Sequence, residues 1–318
     1  MKRILVIKLG YSETLDSMLS LTTSLGDVLR TTVILNFFRK DRVDWLVDAQ
    51  ASPLLAGNKF ISTVWSYNPA VLDALRAIPY DTVINFEKMP EICRFAASLS
   101  AKHFFGFLYN GSGYEVRGAG KGNASSRLIK MSNDLVMKRR NRDCWQKILC
   151  AAIGKKWEGQ GYILGYQPKS SGQWDVGFNW ATSSKWMNKS WPMSSWKKLE
   201  RMLAGHYSVS WQRGLNSLYE YIDWINSCRM IVTSDSLGLH LCLALNKDVI
   251  ALFGPTSARE VHMYSCGTAL LSDAPYDCMP CCKPVCSKKK QCMEYIAPER
   301  VYEHVKKRLP ARDRAGDL

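Results

Sequence analysis

The chain alternates short, apolar, β-prone runs with segments of helical character, and this alternation occurs twice. Runs rich in Val, Ile, Leu and Phe predict strands at residues 1–9, 43–47, 82–86, 102–108, 176–179, 207–211, 230–233 and 249–253, and Val64-Trp65 is a further candidate strand. Strands that alternate with helices predict parallel sheets covered by helices on both faces. The sequence therefore predicts the α/β fold class.

A segment rich in Gly, Ser and Pro, residues 159–173, separates the two series of predicted strands. The chain has 318 residues, which is long enough for two ordinary domains. We expect one domain at residues 1–160 and a second at residues 161–318, the second with a cysteine-rich loop at residues 278–292. Another stretch rich in Gly, Ser and Asn, residues 109–126, predicts a long loop within the first domain. Helical patterns are predicted at residues 24–39 and 133–153, and the chain after Thr256 is expected to be irregular until a helix at residues 298–309.

The predicted strand at residues 230–233 ends in small polar residues and is followed at once by a helix. Ser234 or Asp235 can cap this helix, whose first backbone N–H groups have no intrahelical partners. In open α/β sheets ligands bind beside the carboxyl ends of the strands, and a helix start there attracts phosphate. The residues alone allow two interpretations, an anion site or a capped helix without a ligand.

The chain carries 43 Lys and Arg residues against 28 Asp and Glu residues, a formal net charge of +15 at pH 7. This excess predicts an anionic partner. Nucleic acid, an anionic membrane surface and an anionic sugar acceptor all satisfy it, and a solvated basic surface is the alternative. The basic residues are dispersed and no RNA-binding motif with interleaved aromatic residues occurs, so we expect no nucleic-acid partner.

The first apolar run is interrupted by Lys8 and is too short for the apolar region of a secretory signal. No stretch of the sequence approaches 18 uninterrupted apolar residues, the length that a spanning helix requires. We therefore expect a cytoplasmic protein, and any membrane contact should be peripheral.

Five of the 11 cysteines lie between residues 278 and 292. Cys278, Cys281, Cys286 and Cys292 can supply four thiolate ligands to a tetrahedral structural zinc or iron ion. Reduced thiols are one alternative, and disulfides are another that a cytoplasmic location disfavours.

Four motifs occur in an order that resembles the heptosyltransferases of glycosyltransferase family nine. The motifs are Ser24-Leu25-Gly26-Asp27 with Thr31-Thr32, Lys189-Ser190-Trp191-Pro192, Asp235-Ser236 with His240, and Ala251-Leu252-Phe253-Gly254-Pro255-Thr256. The resemblance covers nearly the whole chain. It implies a GT-B architecture of two facing Rossmann-like domains, in which an ADP-activated heptose binds mainly to the C-terminal domain and the acceptor mainly to the N-terminal one.

The resemblance implies an inverting glycosyltransferase that moves heptose from ADP-heptose to a hydroxyl of a lipopolysaccharide inner core or a related bacterial glycan. An anionic glycolipid acceptor would bring the protein to the cytoplasmic face of the inner membrane, where its positive charge suits the anionic leaflet. The alternatives are a protein O-heptosyltransferase, a noncatalytic nucleotide-sugar-binding protein and a nucleic-acid-binding protein.

Asp27 matches the position of the family's proposed catalytic base. Transfer with inversion requires a base that takes the proton of the acceptor hydroxyl. Ser24 and Asp27 also have the spacing of a capping box, in which both side chains would bond to the helix backbone. Glu13 and Asp16, in the polar segment before this motif, are alternative carboxylate bases.

Lys189 matches the family lysine that is thought to contact the leaving diphosphate, whose growing charge suits a compact ammonium group. Because this lysine and a helix N-terminus can stabilise the diphosphate, we expect no cofactor in catalysis. The resemblance predicts further donor contacts by Thr182, Ser183, Ser184, Gln212, Asp235, Ser236, Gly238, Leu239 and His240. Leu237 stands where many relatives have glycine, so the loop before this helix is expected to bend differently.

Overall fold

The computed structural model describes residues 1–11, 22–109, 114–117, 127–128, 131, 134–214 and 217–310. The chain divides into two compact units. The first consists of Met1–Gln167 with Arg259–His262, and the second of Pro168–Ala258 with Met263–Leu318. The predicted linker at residues 159–173 contains the division between Gln167 and Pro168.

Among the described residues, six strands form the sheet of the first unit, in the order β3-β2-β1-β4-β5-β6. Their bounds are β1 Arg3–Ile7, β2 Arg42–Val47, β3 Thr63–Ser66, β4 Tyr80–Asn85, β5 Ala101–Tyr109 and β6 Tyr114–Arg117. Neighbouring strands pair in parallel, except that β6 is antiparallel to β5. The order reverses direction between β1 and β4, which makes this pair the switch point of the sheet.

The helices of this unit have the bounds α1 Leu25–Thr31, α2 Pro69–Arg76, α3 Pro90–Ser98, α4 Leu135–Arg140 and α5 Trp145–Ala152. Leu5 and Ile7 of β1 are fully buried and belong to a core that includes Ile92 and Phe95 of α3. Central parallel strands are covered on both faces, which explains why the sequence of β1 is continuously apolar rather than alternating. The buried sheet thus holds its strand ends in fixed positions.

The second unit has a sheet of five strands in its described residues, in the order β11-β10-β9-β7-β8, and all neighbours are parallel. The strands are β7 Trp174–Asn179, β8 Val209–Trp211, β9 Cys228–Ser234, β10 Asp248–Phe253 and β11 Gly267–Leu271. The helices are α6 Met193–Leu203, α7 Leu218–Ser227, α8 Leu237–Ala244 and α9 Pro298–Arg308. Here the order reverses between β7 and β9.

The helix that the sequence predicts from Ser24 to about Arg39 is shorter in the structure. It ends at Thr31, and the chain continues as a 3-10 helix at Thr32–Phe37. The hydroxyls of Thr31 and Thr32 donate to the backbone carbonyls of Asp27 and Leu29 at 2.7 and 2.6 Å. Such back-bonding competes with the regular helical pattern, which gives a local reason for the change.

Two short edge strands, β6 and β11, were missed by the sequence prediction. β6 lies within residues 109–126, which were predicted to form a loop, and β11 lies where an irregular chain was expected. The single helical pattern predicted over residues 133–153 is also wrong. α4 and α5 are separate helices, because the Asn141 side chain bonds to the backbone N–H and carbonyl of Asp143 at 3.1 and 2.7 Å.

Within the described parts of the chain, no helix is both long enough and apolar enough to cross a membrane.

Candidate functional site

In the second unit, polar side chains gather where β7 and β9 end. Asn179 is the last residue of β7. Ser234 is the last residue of β9, and Asp235 follows it. Because these two neighbouring strands form the switch point, their carboxyl ends flank the crevice in which open α/β sheets bind ligands. The motif residues around Asp235 therefore lie where the sequence predicted an anion site.

Lys189 and Asp235 form an ion pair at this edge. Lys189 Nζ lies 3.0 Å from Asp235 Oδ2 and also donates to the Asp235 backbone carbonyl at 3.0 Å. The ammonium group lies 4.7 Å from the centre of the Trp186 ring. Each side chain of the pair is only 14% exposed, so solvent screens the pair weakly. The structure thus brings together two residues that are 46 positions apart in the sequence.

The environment of Asp235 keeps its carboxyl group ionised. Burial alone would raise the pKa of Asp235, but the charges of Lys189 and His240, the hydrogen bond from Lys189 and the nearby Thr256 side chain outweigh burial and lower the pKa to about 2. Thr256 closes the motif that begins at Ala251, so this carboxylate links three of the four sequence motifs.

The helix α8 begins immediately after this ion pair. Ser236 is its N-cap and makes no side-chain hydrogen bond to the helix backbone. The N–H of Leu239 donates to the Ser236 carbonyl at 3.1 Å, so the N–H groups of Leu237 and Gly238 precede the first intrahelical bond. Six of the eight residues of α8 are buried, and the helix is therefore held by packing rather than by caps. An anion at its start would complement the helix dipole.

A buried network fixes the turn between β9 and α8. Asn179 Nδ2 donates to Thr233 Oγ1 at 2.7 Å and to Ser236 Oγ at 3.1 Å, and Asn179 Oδ1 accepts from the Tyr221 hydroxyl at 2.9 Å. A Cβ atom added to Gly238 would lie 2.7 Å from the Tyr221 hydroxyl and closer still to the Asn179 amide. Sequence reasoning missed Asn179 and Tyr221, which carry no motif of their own.

Ser234 Oγ, at the end of β9, and Gln212 Oε1, after β8, are buried polar atoms without a hydrogen-bond partner within the described part of the chain. Gln212 follows β8, is 5% exposed, and its backbone carbonyl accepts from Trp180 Nε1 at 2.8 Å. Buried polar atoms without protein partners are costly, and a bound polar ligand would satisfy them. The location of Gln212 is compatible with its predicted donor contact, which stays a prediction.

The remaining predicted donor residues have different surroundings. Thr182 Oγ1 lies 2.6 Å from Ser190 Oγ, and Ser183 Oγ accepts from the Lys185 N–H at the start of a 3-10 helix that begins with Ser184. Leu239 and His240 are buried in the first turn of α8, where His240 acts electrostatically on Asp235. Contact of these side chains with a donor stays a prediction.

In the first unit, Asp27 lies on α1 and is 6% exposed. The Ser24 hydroxyl donates to Asp27 Oδ2 at 2.5 Å, and Arg30 forms an ion pair with Asp27 Oδ1. Ser24, the N-cap, makes no side-chain bond to the helix backbone, and its own N–H donates to the Gly10 carbonyl at 2.7 Å. A capping box requires the Ser24 hydroxyl to bond to the helix backbone. That part of the capping-box interpretation is wrong, because the Ser24 hydroxyl donates to the Asp27 carboxylate instead.

A buried ion pair lies at the switch point of the first sheet. Lys8 follows β1, Glu87 follows β4, and their charged atoms are 3.1 Å apart with side-chain exposures of 5% and 0%. Glu87 Oε1 also accepts from the Gly10 N–H at 2.8 Å, and Gly10 adopts a φ of +99°, which favours glycine. Sequence reasoning missed this pair, which the Gly10–Ser24 hydrogen bond connects to α1.

The alternative bases Glu13 and Asp16 lie outside the described residues.

The four predicted metal ligands are close enough to influence one another. Burial, followed by the neighbouring thiols of Cys281, Cys286 and Cys278, raises the pKa of Cys292 to about 11. Cys281 Sγ accepts from Asn188 Nδ2 at 3.6 Å. The described residues nevertheless contain no group of three or more His, Cys, Asp or Glu side chains arranged to hold a metal ion. The metal site is therefore not supported by this arrangement and stays a prediction from the sequence.

In the comparison with known protein sequences, the matching residues lie mainly in the second unit. Residues 214–292 match the family described as glycosyltransferase family 9 (heptosyltransferase). A lipooligosaccharide heptosyltransferase 2 from Campylobacter jejuni subsp. jejuni serotype O:6 (strain 81116 / NCTC 11828) is 32% identical over 81 residues. That alignment covers 25% of this chain and 26% of the curated relative, so it spans about a quarter of the relative's length.

Solved structures match nearly the entire chain. The E. coli heptosyltransferase WaaC with ADP has a TM-score of 0.63 at 14% identity, over 96% of this chain and 99% of that one. The structure of E. coli ADP-heptose lps heptosyltransferase II has a TM-score of 0.62 at 16% identity, over 96% and 98%. At such low identity these likenesses show the fold. They confirm the predicted two-domain α/β GT-B class, and the sequence match to the heptosyltransferase family covers residues 214–292.

Proposed function

We propose that this chain, a glycosyltransferase family 9 protein by its sequence match and fold, is an inverting glycosyltransferase that uses ADP-heptose as donor. Its acceptor is a hydroxyl of a lipopolysaccharide inner core or a related bacterial glycan. The names of the sequence relatives and the ADP in a structural neighbour support the sugar and the nucleotide.

One observation carries the proposal, namely that Lys189, Asp235 and the start of α8 meet at the switch point of the second sheet. The ammonium group and the backbone N–H groups of a helix start together form an environment for a diphosphate. The Lys189 ammonium group has three N–H donors, and two of them bond to the backbone carbonyl and Oδ2 of Asp235. The third donor can bond to a phosphate oxygen. The position of Lys189 therefore suits the stabilisation of negative charge on departing ADP.

In the proposed reaction the Asp27 carboxylate takes the proton of the acceptor hydroxyl. The hydroxyl oxygen forms a bond to the anomeric carbon of heptose on the face opposite ADP, and the bond between that carbon and the diphosphate oxygen breaks. ADP leaves with the bonding electron pair. Lys189 and α8 bind the charge that develops on the diphosphate, and no cofactor takes part.

We further propose that the acceptor is anionic and that the protein works at the cytoplasmic face of the inner membrane through peripheral contact. The net charge of +15 supports this part of the proposal, because dispersed Lys and Arg side chains are attracted to anionic glycolipid and lipid head groups.

The proposal is tested by measuring ADP release and the mass of glycosylated product for the parent protein, Asp27→Asn and Lys189→Gln. We expect Asp27→Asn to lower kcat by about 10²- to 10⁴-fold while its melting temperature stays close to that of the parent. Full activity of folded Asp27→Asn would refute the base assignment. ADP binding without transfer to any acceptor would favour a noncatalytic nucleotide-sugar-binding protein.

A further inference from the structure

We propose that Arg30 is a positioning residue for the Asp27 carboxylate, and that Trp145 and Glu260 hold Arg30 in place. The inference rests on the proposed function, because Asp27 is the base of that reaction. All four residues belong to the first compact unit. Arg30, Trp145 and Glu260 are absent from the motifs that indicated the family.

Two donors bind the two oxygens of Asp27 separately. Arg30 lies three residues after Asp27 on α1, and its guanidinium pairs with Oδ1. The Ser24 hydroxyl donates to Oδ2 at 2.5 Å. Because the donors engage different oxygens, they fix the plane of the carboxylate as well as its position. A base in a transfer reaction requires this control, since the proton must be accepted along a defined direction.

Trp145 restrains the guanidinium. Arg30 Cζ lies 4.7 Å from the centre of the Trp145 ring, within the range of a cation–π interaction. The side chain of Arg30 is 15% exposed and that of Asp27 is 8% exposed. An exposed arginine would sample many rotamers, whereas this guanidinium is confined between a carboxylate and an indole face. The confinement keeps the ion pair in one geometry.

Glu260 in turn holds the indole. Trp145 Nε1 donates to Glu260 Oε2 at 3.0 Å in a buried hydrogen bond. Glu260 ends the 3-10 helix Ala258–Glu260, and Arg259–His262 packs within the first unit although the sequence on both sides belongs to the second. A buried indole N–H without a partner would be costly, so Glu260 stabilises this ring orientation. The contacts thus continue from Glu260 through Trp145 and Arg30 to Asp27.

This arrangement is expected to affect rate more than stability. The substitution Arg30→Lys keeps a positive charge beside the largely buried Asp27 carboxylate, so no uncompensated buried charge remains and the free energy of unfolding changes little. By contrast, displacement of a reacting group by about 1 Å can lower a rate on the order of 100-fold. A change at Arg30 should therefore lower kcat without a matching change in the binding of ADP, which involves the second unit.

The test compares Arg30→Lys, Trp145→Phe, Glu260→Ala and Glu260→Gln in steady-state transfer, ADP calorimetry and thermal unfolding. Arg3→Lys is a matched control, because Arg3 also pairs with a buried carboxylate, Asp44 at 3.0 Å, and lies over the Tyr80 ring at 5.6 Å. Arg3 is the first residue of β1 and therefore lies at the amino edge of the first unit's sheet, whereas Asp27 lies on α1. Lysine keeps the charge at either site but loses the planar fork.

We expect Arg30→Lys to lower kcat at least about 10-fold, with the KM for donor and the ADP affinity within about 2-fold of the parent values. Trp145→Phe and Glu260→Ala should lower kcat about 3-fold or more, and Glu260→Gln should restore it because its amide oxygen still accepts from the indole. Arg3→Lys should retain parental kcat.

Parental kcat in folded Arg30→Lys would overturn the inference. It would also fail if Arg3→Lys lost activity equally, or if Glu260→Gln behaved as Glu260→Ala does. If Arg30→Lys does not fold, Trp145→Phe and the two Glu260 variants decide the question. These outcomes differ from failure of the proposed function, in which the parent protein itself transfers no sugar.

Discussion

At the scale of single residues, Gly238 meets a packing requirement at the start of α8. The turn here needs space at Gly238 because the buried side chains of Asn179 and Tyr221 fill the volume that a Cβ atom would occupy. The Asn179 amide that would clash is the same group that bonds to Thr233 and Ser236. Glycine at this position is therefore a packing requirement of the helix start, independent of backbone strain.

We expect Gly238→Ala to lower ADP affinity at least about 10-fold, because the network must move away from the new methyl group. The free energy of unfolding should fall on the order of 2 kcal/mol, which lowers the melting temperature by several degrees. Calorimetry with ADP and thermal unfolding measure the two effects. Gly161→Ala is the control, since an added Cβ there meets no atom within 4 Å. Unchanged ADP binding by Gly238→Ala would show that the turn tolerates rearrangement.

Asp235 supplies a second residue-scale prediction, on the pH dependence of stability. Its pKa is about 2 in the folded protein against an ordinary value of 3.8, so ionised Asp235 stabilises the folded state. This contribution, about 2 kcal/mol, is fully present above about pH 4 and is lost as the pH falls toward 2.

Urea unfolding at pH 5, 4 and 3 should therefore show that the stability difference between the parent and Asp235→Asn narrows as the pH falls. At pH 5 the variant should be less stable by about 3 kcal/mol, because Lys189 is left partly buried without its carboxylate. A difference that stays constant down to pH 3 would contradict the assigned ionisation.

The residues that sequence could identify are those within short motifs. Lys189 and Asp235 were predicted separately, and the structure brings them into contact. Lys8 and Glu87 were missed because they follow strands far apart in sequence, and only the sheet order places their ends together. Periodicity shows that a strand exists but not which strands are neighbours.

At the scale of elements, the long buried strands were predicted well, whereas two of the short edge strands, β6 and β11, were missed. β1, β4, β9 and β10 are buried strands that contain consecutive Val, Ile or Leu residues. Such runs indicate a strand from the local sequence alone, without knowledge of its pairing partners. β6 has four residues and β11 has five, and each pairs along one edge only. Their strand state depends on pairing partners that the local sequence does not specify.

The cysteine-rich segment at residues 278–292 permits an element-scale prediction about thiol reactivity. Cys278 and Cys286 are partly exposed, whereas Cys292 is 5% exposed and its pKa is raised to about 11. Thiolates are the reactive species, so in chelator-treated protein we expect Cys278 and Cys286 to be alkylated at pH 8 well before Cys292. Peptide mass spectrometry after timed alkylation measures this order.

The same experiment on protein that has not met a chelator or a metal-affinity tag tests the predicted zinc or iron site. A bound ion would protect Cys278, Cys281, Cys286 and Cys292 together, and elemental analysis would find about one equivalent of metal. Identical alkylation with and without chelator would remove the metal site. Equal reactivity of Cys278 and Cys292 after chelation would instead contradict the burial described above.

At the scale of the whole molecule, sequence alone predicted two α/β halves, and the order of four motifs along the chain indicated a resemblance to a family whose model matches residues 214–292. The packing of Arg259–His262 within the first unit was not predicted, because the residues after Thr256 show no hydrophobic periodicity. Trp145 and Glu260 are 115 residues apart, and their hydrogen bond depends on that packing. Such a contact follows from the complete fold and not from any local pattern.

The net charge of +15 leads to a whole-molecule prediction that separates the two kinds of anion. ADP should bind where Lys189 is 14% exposed and a helix start supplies backbone donors, so its affinity should change less than about 3-fold between 50 and 300 mM salt. Binding to vesicles with anionic lipid depends on dispersed surface charge, about 1 kcal/mol per basic residue near the surface, and should weaken at least about 10-fold over the same range.

Cosedimentation with vesicles of mixed neutral and anionic lipid, and calorimetry with ADP, UDP, GDP and a short RNA, measure both dependences. Neutral vesicles serve as the control for nonspecific adsorption. Selective ADP binding together with salt-sensitive binding to anionic vesicles is expected if dispersed charge recruits the protein while the second unit selects the donor. Steeply salt-dependent RNA binding without selective ADP binding would instead favour the nucleic-acid-binding alternative, because counterion release from a polyanion produces that salt slope.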